Sequence, residues 1–211
     1  MAKIDWSNPL SRVYQQGIDR VVVYHGDYPG EPWHGVSSLG ESYNTPDSSI
    51  YQDGLLIQKV HRLPVFSASV ESYSEPDILK RCMGMFDNRL GLTITGQKIK
   101  PFHFTFRTKI GDQLSGLNHY RVHLVYQATC SDPGTKFETI DEKSNVVSKN
   151  YSITSVPIEI PGSAPSSHLY IDSRSIHPDA LLLIEDQLYG TEGSDPSMIM
   201  PEDLMEIIAG V

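Results

Sequence analysis

Residues 102–129 read FHFTFRTKIGDQLSGLNHYRVHLVYQAT. Phe102, Phe104 and Phe106 alternate with His103, Thr105 and Arg107. That period of two sends the rings to one face of a strand and the polar side chains to the other. After Gly111, Asp112 and Gly116 the alternation resumes, with Tyr120, Val122, Leu124 and Tyr126 on one face and Arg121, His123, Val125 and Gln127 on the other. Two β-rich runs joined by a glycine-containing loop make an antiparallel hairpin. The loop exceeds the two-residue minimum, so turn type does not set the register. His103 and His123 are expected to share the polar face as cross-strand neighbours. Two imidazoles fall short of the three protein ligands of a catalytic zinc, and no HExxH or HxH accompanies them, so no metal is expected. The polar face is then either a contact face or the wet side of a sheet.

Working outward, Val21 to Tyr24 reads as a strand, DYPGEP as a turn cluster, and Trp33, Val36 and Leu39 lead into a second strand toward Tyr43. NTPDSS, at 44–49, reads as a loop, and the run from Ile50 as a strand pair or bent strand around Asp53-Gly54. Residues 65–73 alternate cleanly. Ser74-Glu75-Pro76-Asp77 is a helix start, and the short helix ends near Gly84. Residues 131–150 are loop-rich; strands follow around Tyr151 and Ile153 and at 167–173. Pro178 opens a helix carrying Leu181, Leu182, Ile184 and Leu188, with Gly190 just past its end. GTEGSDPS reads as a linker, and a proline-started amphipathic segment closes the chain. The sum is mainly antiparallel β with one inner helix and two terminal helical segments. It divides into an N-terminal arm (1–16), a β domain (17–190) and a C-terminal arm (191–211). The arms carry apolar anchors, Trp6 and Leu10 in one and Leu204, Ile207 and Ile208 in the other. Each is too short for a core of its own, so both are expected to be mobile in an isolated subunit.

At 211 residues the chain can bury a sizeable core, and its 11 tyrosines suit surfaces that are apolar at one end and wet at the other. A formal net charge of −9 argues against a surface that grips nucleic acid. The opening MAKIDWSNPL has no apolar stretch, no window is apolar enough to span a membrane, and two free thiols, Cys82 and Cys130, are the expectation for a reducing compartment. Neither GxxxxGK[ST] nor GxSxG occurs. Ser173 to Ser175, with His168, Asp172 and His177 near in sequence, fit no nucleophile turn. Of Glu71, Glu75 and Asp77, the last two read as counter-charges to a helix N-terminus. Neither catalysis nor a cofactor is expected.

Taken together, PWHGVSSLGES, IYQDG, VESYSEPDIL, FHFTFRTKIGDQLSG, YRVHLVYQATCSDPGTKFETI and SHLYIDSRSIHPDALLLIEDQLYGTEGSDPSMIMPEDLMEII, in that order over residues 12–208, resemble the major tail tube proteins of long flexible-tailed bacteriophages (siphoviruses), closest to those of actinobacterial phages. The resemblance implies a β-sandwich or half-barrel with a packed helix. It implies six subunits per ring, rings stacked into a hollow tube of the virion tail, and DNA that transits the lumen without specific binding. The partners implied are other copies of the chain and the tail tip, tape measure and terminator proteins. A tail terminator or head–tail connector ring of the same fold is the nearest rival. Cys82, Cys130, His103 and His123 match no family role. Six chains carry 6 × −9 = −54 charges per ring, and an acidic wall repels phosphates within about 8 Å. Glu41, Asp53 and Glu71 are the candidate bore residues, on one face of the strands around residues 44–49, with an outer solvated face as the alternative. The loop with Tyr43, Asn44, Pro46, Asp47 and Tyr51 is expected to stack rings.

Overall fold

The period-two pattern of residues 102–129 becomes the centre of one large antiparallel sheet. A computed structural model describes residues 13–26, 28–45, 47–61, 63–88, 91–112, 116–136 and 146–210. In chain order the elements are β1 (Val13–His25), β2 (Tyr28–Pro32), β3 (Val36–Asn44), β4 (Asp47–Gln52), β5 (Leu55–His61), β6 (Val65–Ser72), α1 (Asp77–Cys82), β7 (Phe86–Asn88) and β8 (Leu92–Ile94). They continue with β9 (Phe102–Asp112), β10 (Gly116–Cys130), β11 (Lys149–Ser155), β12 (Ile158–Ile160), β13 (Ser163–Ser166), β14 (His168–Asp172), α2 (Pro178–Tyr189) and α3 (Pro201–Ala209). The large sheet runs β2-β1-β9-β10-β11-β6-β3, with β14 also paired to β10; β4-β5, β7-β8 and β12-β13 are separate two-stranded ribbons. The fold is mainly β, as the alternation requires.

The inner face of this sheet is covered along its length, and the outer face is covered over β1, β9 and β10. Phe102, Phe104 and Phe106 of β9 join Val21 and Val23 of β1, Phe66, Ala68 and Val70 of β6, and Tyr151 and Ile153 of β11 in one core, into which α1 drops Ile78, Leu79 and Cys82. Strands from opposite ends of the sheet meet in that core, so the sheet curls into a half-barrel around it. Val22, Tyr24, Val122, Leu124, Tyr126 and Ile171 point to the outer face, where Ile184 and Leu188 of α2 and Ile199 and Leu204 of the C-terminal segment cover them.

The curl is built with bulges. Arg20 and Gln127 have positive φ (49° and 47°), each at a shift of register against β9. The extra residue at 20 keeps Ile18, Val21 and Val23 on the inner face, and the one at 127 does the same for Val125, Ala128 and Cys130. Both cysteines are free and buried. Burial pushes the Cys82 thiol up to about 11 and the Cys130 thiol up to about 12, so neither is an available thiolate.

Several expectations are corrected. DYPGEP holds β2, an edge strand whose proline-rich backbone still pairs on the β1 side. Gly30 is required there, because a Cβ would stand 2.5 Å from the Tyr24 ring. The N-terminal arm cannot reach residue 16, since Val13 to Gln16 already pair with β9; Trp6 and Leu10 lie outside the described residues. The C-terminal segment docks on its own subunit. Gly30 N–H donates to Pro196 O (2.8 Å), Ser197 N–H to Gln187 O (2.9 Å) and Tyr126 O–H to Ile199 O (3.0 Å). Leu204 is buried, Ile207 packs on the outer core and only Ile208 is exposed. The segment has no core of its own, but the outer face of β1, β10 and β14 supplies one. The N-terminal amides of α1 are served across the fold, where Ile78 N–H donates to Glu31 Oε2 (2.9 Å). Glu75 instead pairs with Lys149 (3.0 Å) and accepts from the Tyr151 hydroxyl.

Candidate assembly surface

β4 and β5 form a hairpin that stands clear of the body. Asp53 (φ 51°) and Gly54 (φ 81°) both adopt left-handed backbone at its tip, the requirement of a two-residue type I′ turn. Residues 48–60 are all exposed. Ile50 pairs with Gln58 and Tyr51 with Leu56, with a bulge between them. One face of the ribbon therefore carries Ile50, Leu55 and Val60, and the other Tyr51 and Leu56, with Ile57 the extra residue at the bulge. Leu55 is 69% exposed and Ile57 60%. A lone two-stranded hairpin is marginally stable in water, and this one is apolar on both sides. The smaller β7-β8 ribbon repeats the feature with Phe86, Leu92 and Ile94, and α2 turns Leu182 and Leu183 outward. Contiguous exposed apolar surface of this kind marks interaction sites.

The loop expected at 44–49 is thus corrected. Asn44 ends β3, Asp47 begins β4 and pairs by backbone with His61, and Tyr51 lies within β4. Pro46 lies outside the described residues. Tyr43 is not at a tip. It faces inward at the mouth of the half-barrel, edge-on to Phe66 at 5.6 Å between centroids. The overlooked signal is Leu55-Leu56-Ile57. Three consecutive apolar residues after a tight turn cannot all point into one core, so either both faces are covered or one is left bare.

The three expected bore carboxylates do not share a face. Glu41 is paired with Ala68 and points inward with it. Asp53 is at the hairpin tip. Glu71 points outward, accepting from Ser148 Oγ (2.7 Å) and Ser38 Oγ (3.4 Å). The outer face around Glu71 is a grid of small polar residues. Ser42, Ser67 and Thr154 form one row, Gly40, Ser69 and Ser152 the next, and Ser38, Glu71 and Asn150 the third. Glu71 is the one charged side chain in that grid.

The histidine pair is also corrected. His123 is registered directly against Phe106 and lies on the phenylalanine face, its ring stacked on Phe106 at 4.3 Å. His103 lies on the opposite face, edge-on to Tyr126, and accepts from Gln127 N–H at 3.3 Å. The partner of His123 is His168 of β14, with Nδ1 and Nε2 3.0 Å apart. His123 Nε2 contacts Thr108 Oγ1 (3.0 Å) and His168 Nδ1 contacts the Tyr43 hydroxyl (2.5 Å). Glu41 Oε1 stands 3.4 Å from His123 Nδ1. Burial, then the neighbouring His168 and Arg121, pushes His123 down to about 3; burial pushes His168 down to about 4. Both rings are neutral at pH 7. Burial raises the Glu41 carboxyl, opposed by Arg121. Among the described residues, Glu41, His123 and His168 are the group that could hold a metal ion.

No family model matches the chain, and no curated protein matches it. One solved structure similar to it is the tube-terminating cap of the anti-feeding prophage, at 12% identity, covering 73% of this chain and 89% of that one, with a TM-score of 0.34. A likeness that loose carries no argument about function.

Proposed function

We propose that the chain is a structural subunit of a bacteriophage tail, assembling with copies of itself into hexameric rings that stack as the tail tube. The observation that carries this reading is the β4-β5 hairpin, which bears apolar side chains on both faces and leaves residues 48–60 exposed among the described residues. A neighbour on each side would complete it, and a contact made between different patches of identical chains closes into rings or propagates. The sequence blocks that resemble tail tube proteins name the kind of assembly. Two further assignments belong to the reading. Tyr51, Leu55 and Ile57 of the hairpin take over the stacking role first expected of a loop at 44–49. The hydroxyl-rich grid with Glu71 faces the bore: it is polar and uncovered, and it offers no lysine or arginine to displace counterions from DNA phosphates. Terminator, tape measure and tail tip proteins would be its partners at the tube ends and within the lumen.

Electron microscopy of the concentrated protein beside the double variant Leu55→Asp/Ile57→Asp tests this. Wild type should polymerise into tubes, and the variant should remain folded and monomeric. Isolated rings that never stack would favour a terminator or connector ring of the same fold. Normal tubes from the variant would remove the hairpin from the assembly.

A further inference from the structure

The inner face of the half-barrel holds a second built feature, independent of the assembly reading. We propose that Glu41, His123 and His168 bind one divalent transition-metal ion of the zinc class, which clamps edge strand β3 to β10 and β14. No two of the three ligand atoms are farther apart than 4.8 Å. The two closest approaches are 3.0 Å between His123 Nδ1 and His168 Nε2, and 3.4 Å between His123 Nδ1 and Glu41 Oε1. Ligands about 2.0–2.1 Å from a tetrahedral zinc stand about 3.3 Å from one another, so two of the three spacings match a shared ion and the third lies within 4.8 Å. Two imidazoles and a carboxylate suit zinc and leave a fourth position open.

The surrounding groups orient the ligands. Each imidazole turns one nitrogen toward the common point and fixes the other on a hydroxyl, His123 Nε2 on Thr108 and His168 Nδ1 on Tyr43. With metal bound, those outer nitrogens carry the protons and donate to the hydroxyl oxygens, the outer-shell arrangement that sets tautomer and ring direction. The rings are held by packing as well. They lie parallel at 5.2 Å, between Phe106 against His123 and Phe66 against His168 at 4.6 Å. Arg121 is engaged elsewhere, with Asp172 at 3.1 Å and over the Tyr170 ring. Glu41 and Thr108 also line an open cleft of about 280 Å³ at the barrel mouth, with Gly17, Leu39 and Phe106, which gives an ion its route in. A neutral histidine pair sharing one proton would satisfy the two rings alone, but it leaves the Glu41 carboxylate facing them without a purpose.

The test uses chelator-stripped full-length protein titrated with Zn²⁺ by calorimetry and with Co²⁺ by visible absorption. Wild type should take up one equivalent, develop the d–d bands of a low-symmetry Co²⁺ site, and melt at a higher temperature with Zn²⁺ present. His168→Gln should lose saturable uptake. Glu41→Gln, on an exposed edge strand where folding is least at risk, should bind at least tenfold more weakly. Tyr43→Phe should weaken binding about tenfold through its His168 contact. His103→Gln, on the other face of the sheet, should bind as wild type does. Absence of stoichiometric uptake by wild type, or equal uptake by the folded Glu41→Gln and His168→Gln variants, overturns the site.

Discussion

The β9-β10 pair and the β4-β5 hairpin are the same kind of object with opposite fates. Both are antiparallel, and both carry apolar side chains on their two faces. In β9-β10 the inner face meets β6 and α1, and the outer face meets α2 and the C-terminal segment, so Phe104, Phe106, Val122 and Leu124 are fully buried. In β4-β5 the comparable side chains remain in water. A pattern that calls for two covers is satisfied within the chain in one case and, on the proposed assembly, by other copies of the chain in the second. An interface is legible here as a core that lacks its other half.

The largest effect that sharpens this contrast is on stability. Phe104→Ala should cost about 3–5 kcal/mol, because the ring has no exposed side on which the cavity can collapse. Chemical denaturation of the dilute chain measures it; a loss under about 1 kcal/mol would mean the β9-β10 core is looser than its burial indicates. A middle-sized effect comes from two ion-paired carboxylates of the covered sheet, Asp172 of β14 and Asp19 of β1. Hydrogen bonds from Arg174 and Arg121 hold the Asp172 carboxyl far below the usual range, and the Arg107 guanidinium lowers Asp19 through bonds of 2.7 and 3.0 Å. A carboxyl depressed in the folded state stabilises above its unfolded pKa of about 3.9 and loses that contribution as pH falls through its folded value. Stability should therefore fall below about pH 4, and Asp172→Asn should flatten the fall while costing about 1–3 kcal/mol at neutral pH. An acid limb unchanged in the variant would remove Asp172 from it.

Much of the sheet could be read from the chain, and the reasons are specific. Residues 65–72, 102–106 and 120–126 alternate so strictly that their strands, and the division of each into two faces, follow from parity alone. The proline-opened helices at 178 and 201 needed only their caps. Parity does not relate one strand to the next. Each of β9 and β10 has a phenylalanine or tyrosine face and a polar face, but only the register that sets His123 against Phe106 places that histidine among the rings. The histidine's true partners, His168 and Glu41, are 45 and 82 residues away in the chain and reach it through β14 and β3. The bulges at Arg20 and Gln127 had no glycine to announce them, in contrast to Gly54 at the hairpin tip. The C-terminal segment was misjudged because its apolar stripe could be weighed only against itself, while the face that receives it is assembled from three distant strands.

The smallest effect on the isolated chain lies in the hairpin. Leu56→Ser should change the stability of the dilute protein by less than about 0.5 kcal/mol, since Leu56 is exposed on the hairpin. The same change should lower the extent of polymerisation measured by sedimentation. A clear loss of monomer stability would mean that the hairpin folds back on its own body.

Amide hydrogen exchange, read peptide by peptide in the dilute chain and again in the assembled protein, tests the central claim most directly. Residues 102–110 and 120–128 should be strongly protected in both states. Residues 48–60 should exchange nearly as fast as an open chain when dilute and become protected on assembly. Protection of 48–60 in the dilute monomer, or fast exchange persisting in the polymer, would contradict the claim that other copies of the chain supply the hairpin's missing cover.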